Sequence, residues 1–211
     1  MTDTLALPPP ADAVVLFDGT SLGPWMKRDG TGAAWPIESG DMITQGGDIL
    51  SRETFRDFYL HVEFLCPNLG PEVTGQGRSN SGVFLQGRYE IQVLDSYGIE
   101  DPGRGDCGAL YNHSAPLVNA CNPPDTWQSY DAFFRAPRFD DTGNKIENAR
   151  ATLLHNGRVV QNNQEIPKQT GGALDENYAE AGPILLQDHG NRVRFRNVWV
   201  VPLRPSGADH Y

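Results

Sequence analysis

Groups able to do acid–base work crowd one short run of the sequence. "LLQDHGNRVRFRN", at 185–197, carries Gln187, Asp188, His189, Arg194, Arg196 and Asn197 among the apolar residues of what reads as a terminal strand pair. Glu63 in "FYLHVEF" and Glu90 and Gln92 in "YEIQVLD" add two carboxylates and a further amide. His189 and the carboxylates can perform acid–base work, and Gln187, Gln92, Arg196 and Asn197 make directional hydrogen bonds. Glu63, Glu90 and His189 could instead share one divalent ion, with His61, Asp95 and Asp188 as further donors; ligands borne on strands have no diagnostic spacing.

The elements that must position these groups read as strands. Apolar residues alternate with polar ones in "FYLHVEF" and "YEIQVLD", and "ILLQDHG" follows the same period. Glu90 and Gln92 therefore point the same way, about 6–7 Å apart. Glu63, Gln187 and His189 lie on the less apolar face of their own strands. Further strands are expected over 13–17, 41–44, 81–86, 108–111, 129–135, 149–155 and 158–164. "HNGR" at 155–158 is an Asn-Gly hairpin suited to a type I′ turn, which places His155 at the surface. Ten to twelve short strands without helices between them predict an all-β antiparallel sandwich or barrel, a single domain over 13–204 with flexible ends at 1–12 and 205–211. Two long loops, 67–79 and 97–124, are expected to wall a cleft. Facing that cleft, Glu63, Asn80, Gln92, Tyr97, Tyr111 and Asp188 are the candidate substrate contacts. Trp35 and Trp127 could add stacking surface. Asp188, on the core side of its strand, is expected to orient His189 or Arg196, and Asn80 and Asn197 could equally close turns.

Composition narrows the function. The chain has 211 residues, 38% of them hydrophobic, and a formal net charge of −10. Such an excess of acid argues against a nucleic acid or an anionic membrane as partner, since both are bound through clustered Lys and Arg. No run is long and apolar enough for a membrane span. The first residues lack the basic and apolar regions of a signal peptide. The sequence as written therefore reads as cytoplasmic, or as periplasmic or secreted if a leader was trimmed. Three cysteines, Cys66, Cys107 and Cys121, make a poor disulfide framework, although a Cys107–Cys121 bridge across the central loop is an option. Neither a nucleophilic Ser or Cys motif nor a phosphate-binding loop nor H-E-x-x-H is present.

Ordinary glycoside hydrolysis needs two carboxylates, about 5–5.5 Å apart for retention or about 6.5–9.5 Å for inversion. "EIQVLD" resembles the E-I-D-x-x-E strand of laminarinase-type β-glucanases, but Gln92 replaces the middle acid and Asp95 falls on the other face unless a bulge turns it. A different family fits in order along almost the whole chain. "LFDGTSLGPW", "DFYLHVEF", "NSGVFLQGRYEIQVLDS", "GALY", "LHNGRVVQNNQEI" and "GPILLQDHGNRVRFRNVWVVPL" together resemble the 3-keto-disaccharide hydrolase family, which has a concanavalin-like sandwich.

The resemblance implies an enzyme acting on glycosides already oxidised to a ketone at sugar C3. The ketone acidifies the C2 proton, a base removes it, and the enolate expels the C1 substituent, leaving a 2-hydroxyglycal that can take up water. The roles would fall to His189 or Glu90 as base, and to Arg196, Gln187 and Gln92, or a divalent metal, at the enolate oxygen. Two other readings stay open: a non-catalytic carbohydrate-binding module on the same sandwich, and an ordinary two-carboxylate glycosidase.

Overall fold

The computed structural model describes residues 4–204. Fifteen strands occur among them: β1 (Val14–Phe17), β2 (Trp25–Lys27), β3 (Ile37–Glu38), β4 (Asp41–Ile43), β5 (Ile49–Phe55), β6 (Phe58–Leu65), β7 (Ser81–Leu85), β8 (Tyr89–Val93), β9 (Trp127–Arg135), β10 (Arg138–Phe139), β11 (Lys145–Glu147), β12 (Ala149–His155), β13 (Arg158–Ile166), β14 (Gly182–Leu186) and β15 (Arg194–Pro202). The larger sheet runs β13-β12-β9-β6-β15-β4-β3, with β1 on β15, and the smaller runs β2-β5-β14-β7-β8. Every pairing is antiparallel. The fold is an antiparallel β-sandwich, one of the two forms the alternation predicts and the one the family resemblance implies.

One face of each sheet makes the core. Phe58, Leu60, Val62 and Phe64 of β6 join Val83, Leu85, Ile91, Val93, Ile184 and Leu186 of the smaller sheet in a single apolar cluster. Tyr89 and Phe134 meet across the sandwich with ring centroids 5.4 Å apart. The hairpin between β12 and β13 turns at Asn156 and Gly157, both at positive φ (50° and 72°), as a type I′ turn requires.

Two features depart from the sequence reading. The centre of the smaller sheet includes β5, whose "SRET" run breaks alternation, while 108–111 forms only a bridge from Leu110 to Ile91. At the N-terminal end, Thr4–Leu7 are tied down on the outer face of the larger sheet. Ala6 N–H donates to Glu63 Oε1 (2.6 Å), and Leu7 O accepts from Asn197 Nδ2 (2.9 Å). The expected tail from 205 onward lies outside the described residues.

Candidate active site

β7, β8 and β14 are buried at every position, so the outer face of the smaller sheet is covered rather than solvated. Register fixes what that face carries. Met26, Leu50, Leu185, Phe84 and Glu90 face one another in turn across the five strands. The first four, with Leu174, form an apolar patch that ends at the Glu90 carboxyl. Gly82 stands opposite Gln92 in the next row. Gln187, just past β14, donates its backbone N–H to Gly82 O (2.9 Å). A Cβ on Gly82 would lie 2.7 Å from Glu90 Oε1, so the missing side chain is the space the carboxyl occupies.

Three loops close over this row. Gln92 Nε2 donates to Gln76 Oε1 (2.9 Å) and Gly105 O (3.3 Å), and Gln76 Nε2 donates to the same carbonyl (2.8 Å). The long loops 67–79 and 97–124 therefore meet above Gln92. The third loop follows β13: Thr170 Oγ1 accepts from Glu90 N–H (3.0 Å), Leu174 N–H donates to Gly87 O (2.7 Å), and Arg28 Nη2 holds Gly172 O (2.6 Å). Arg28 also pairs with Asp48 at 2.9 Å.

Electrostatics single out Glu90. It is 4% exposed, and its carboxylate makes no hydrogen bond to another of the described residues. Burial among Phe84 and its neighbours, and secondarily the negative charge of Asp48, push its pKa up to about 8. Beside it the buried Oε1 atoms of Gln92 and Gln187 have no hydrogen-bond partner. Buried polar atoms are normally satisfied, so a carboxyl and two amide oxygens left open around one glycine mark a candidate ligand site.

Residues 12–201 match the family described as 3-keto-alpha-glucoside-1,2-lyase-like domain. The chain belongs to this family. A crystal structure of a candidate glycosyl hydrolase from Parabacteroides distasonis ATCC 8503 superposes with a TM-score of 0.83 at 38% identity, covering 93% of this chain and 86% of the other. A second from the same organism gives 0.66 at 19% identity, covering 92% and 94%. The alginate lyase Aly36B shares the fold alone, with a TM-score of 0.50 at 9% identity over 94% and 99% of the two chains. No curated protein matches the sequence.

Within this member of the lyase-like family the expected site residues divide between two faces. Glu90, Gln92 and Gln187 share the outer face of the smaller sheet, and Tyr111 lies near Gly105 at its edge. Asn80 is buried nearby, its Nδ2 donating to Gln76 O (2.8 Å), so it supports the loop. Tyr97 is 50% exposed on the 97–124 loop. His189 is exposed. Asp188 accepts from Gly47 N–H (2.9 Å) and Gly190 N–H (3.0 Å), closing a loop rather than orienting His189 or Arg196. Asp95 is held by Arg78 (2.8 Å), away from Glu90. A surface depression of about 390 Å3, lined by Glu38, Asp125, Arg192 and Arg194 among others, shares no residue with the Glu90 set.

Glu63, Arg196 and Asn197 lie on the outer face of the larger sheet, with the core between them and Glu90. There His61 Nδ1 is 2.8 Å from Asp131 and its Nε2 is 3.6 Å from Glu63. Arg196 Nε donates to Glu63 (2.7 Å) and its guanidinium sits 4.0 Å over the Trp127 ring. Burial works against every charge here. Even so, the two carboxylates raise the His61 pKa, while His61, Asn197, Arg196 and Ala6 N–H bring Glu63 down to about 2. Asn197 adopts φ 45° at a break in the β6–β15 register, which aims its amide into this cluster. Glu63, Glu90 and His189 accordingly do not form a donor set for a metal, and no chemical step is routed through one. Asp48, Gln76 and Thr170 escaped the sequence reading; the Gly171–Gly172 pair was the only local sign that a loop approaches the sheet closely.

Proposed function

We propose that this carbohydrate-active domain cleaves glycosides bearing a ketone at sugar C3, by proton abstraction at C2 and elimination at C1. The observation that carries the reading is the Glu90 carboxyl, raised to about 8 and left without a partner beside two open amides. A proton next to a ketone is removed poorly by an ordinary carboxylate. A base whose pKa lies near the working pH combines a usable ionised fraction with greater driving force. The ionised Glu90 takes the C2 proton, and the electron pair moves into the C2–C3 enolate. Collapse of the enolate re-forms the ketone, makes the C1–C2 double bond and releases the C1 oxygen, which leaves with a proton. Gln187 donates to the enolate oxygen from its Nε2, its open Oε1 accepts a sugar hydroxyl, and Gln92 and Gly105 hold the wall opposite. The apolar patch from Met26 to Phe84 keeps water from the carboxylate and gives the sugar face an apolar surface.

The geometry favours Glu90 over His189 as base, because Glu90 is buried beneath the loops that meet above Gln92 whereas His189 is exposed. Turnover of a 3-keto-glucoside and of its unoxidised parent, by wild type and Glu90→Gln, tests this. The expected result is cleavage of the keto compound alone, lost in the variant by about 100-fold or more. Cleavage of the parent by wild type would overturn the reading and cast Glu90 and Asp48 as a glycosidase pair. Binding of either sugar without cleavage would make the protein a carbohydrate-binding module.

A further inference from the structure

A second set of chemically capable side chains lies in the core behind β8, outside the Glu90 site. Cys107, Cys121 and His155 present ligand atoms that all lie within 4.8 Å of one another. The chain has three cysteines, and the third, Cys66, is buried close enough to act electrostatically on the other two. His155, expected at the surface from its place beside the Asn-Gly turn, is wholly buried, packed against Tyr130 and Phe64.

The tautomer of His155 is fixed. Its Nε2 lies 2.9 Å from Gln128 Oε1, and that oxygen also accepts the backbone N–H of Asn122 (2.9 Å), so it can only be the acceptor. The ring is wholly buried, and with Gln128 Oε1 as acceptor its proton sits on Nε2. The lone pair therefore sits on Nδ1, which is buried and has no hydrogen-bond partner. A metal-binding histidine has this arrangement: one nitrogen donates to a neighbouring oxygen while the other is held bare. Cys107 Sγ lies 3.0 Å from the Tyr130 oxygen, whose own proton goes to Gln92 O, so the thiol donates to that oxygen until a cation displaces its proton.

We propose that Cys107 Sγ, Cys121 Sγ and His155 Nδ1 bind one soft divalent cation of the Zn2+ class, with Cys66, the third sulfur, as the fourth ligand. A tetrahedral ion with bonds of about 2.0–2.3 Å sets its donors roughly 3.3–3.8 Å apart, so the three close onto it with small side-chain movements. Each thiol gives its proton to water on binding. A Cys107–Cys121 disulfide is the competing use of the sulfurs, but it would leave Nδ1 orphaned. The ion is structural. It fastens both ends of 107–121 to the last residue of β12, and the carbonyl of Gly105, just before the clasp, holds Gln92. Tyr130 completes the link, donating to Gln92 O at 2.6 Å.

The test uses the full chain, reduced and stripped with a chelator, then titrated with Co2+. The expected result is a near-ultraviolet thiolate charge-transfer band with the visible bands of tetrahedral Co2+, saturating at one equivalent and abolished by Zn2+. Zn2+ at a hundredfold excess over its dissociation constant is expected to raise the melting temperature by about 5 °C or more. Cys121→Ser and His155→Gln should each lose the band while keeping the wild-type far-ultraviolet circular dichroism. Reduced wild type that takes up neither ion overturns the proposal. So does a never-reduced preparation whose mass and peptide map show a Cys107–Cys121 disulfide. None of these readouts depends on turnover.

Discussion

Replacing Glu90 by Gln tests the raised carboxyl through stability, independently of any substrate. With an ordinary value of 4.5 in the unfolded chain and about 8 in the fold, Glu90 keeps its proton in the native state after the unfolded state has lost it. The native state then binds more protons, and stability must fall as pH rises between these values, by about 1.4 kcal/mol per pH unit. The contribution is complete below pH 4.5 and gone above 8. From pH 5 to pH 8 it amounts to about 3–4 kcal/mol, allowing for the curvature near 8. Gln mimics the protonated acid in shape but cannot ionise. Every other group titrates alike in the two proteins, so the difference between them isolates this carboxyl. Urea denaturation at pH 5, 6, 7 and 8 should therefore show Glu90→Gln gaining on wild type with each unit, by about 3–4 kcal/mol over the range. Parallel stability curves would refute the raised carboxyl, and with it the reason for preferring Glu90 as base.

Other perturbations separate the two faces. Gly82→Ala should cut kcat/KM by about tenfold or more, because its methyl would occupy the space of Glu90 Oε1; the cost to stability should be about 1–3 kcal/mol by denaturation. Glu63→Ala should behave in the opposite way. It leaves His61 buried without one of its carboxylates, so it should destabilise by about 3–5 kcal/mol while kcat of the folded fraction stays near wild type.

Period-two alternation made the fold class legible, and it correctly put Glu90 and Gln92 on one face. It could not say which sheet a polar face belongs to. Both outer faces of this sandwich carry carboxylates and amides, so Glu63 and Arg196 look the same in sequence as Glu90 and Gln187. Distance along the chain hides the rest. The cover over Glu90 comes from three separate loops, and Asp48 sits just before a strand whose "SRET" run mimics a turn. His155 was misplaced because an Asn-Gly turn marks a hairpin end, and hairpin ends are usually exposed. Here the residues between Cys107 and Cys121 fold over it, and nothing near position 155 announces them.

The seal over His61 has a consequence for the order in which the chain comes together. Leu7 and its partner Asn197 are 190 positions apart, so their hydrogen bond joins two segments far apart in the chain, residue 7 and β15. Loop closure over such a span is entropically the most expensive contact to make early. The ion pairs of His61, Asp131 and Glu63 therefore assemble in water, and they are taken out of it only when β15 has docked and Thr4–Leu7 can lie down across it. These residues precede the part matched by the family, 12–201. Hydrogen exchange should find their amides opening before those of the strands beneath, making this latch the last piece of the native state to form and the first to let go.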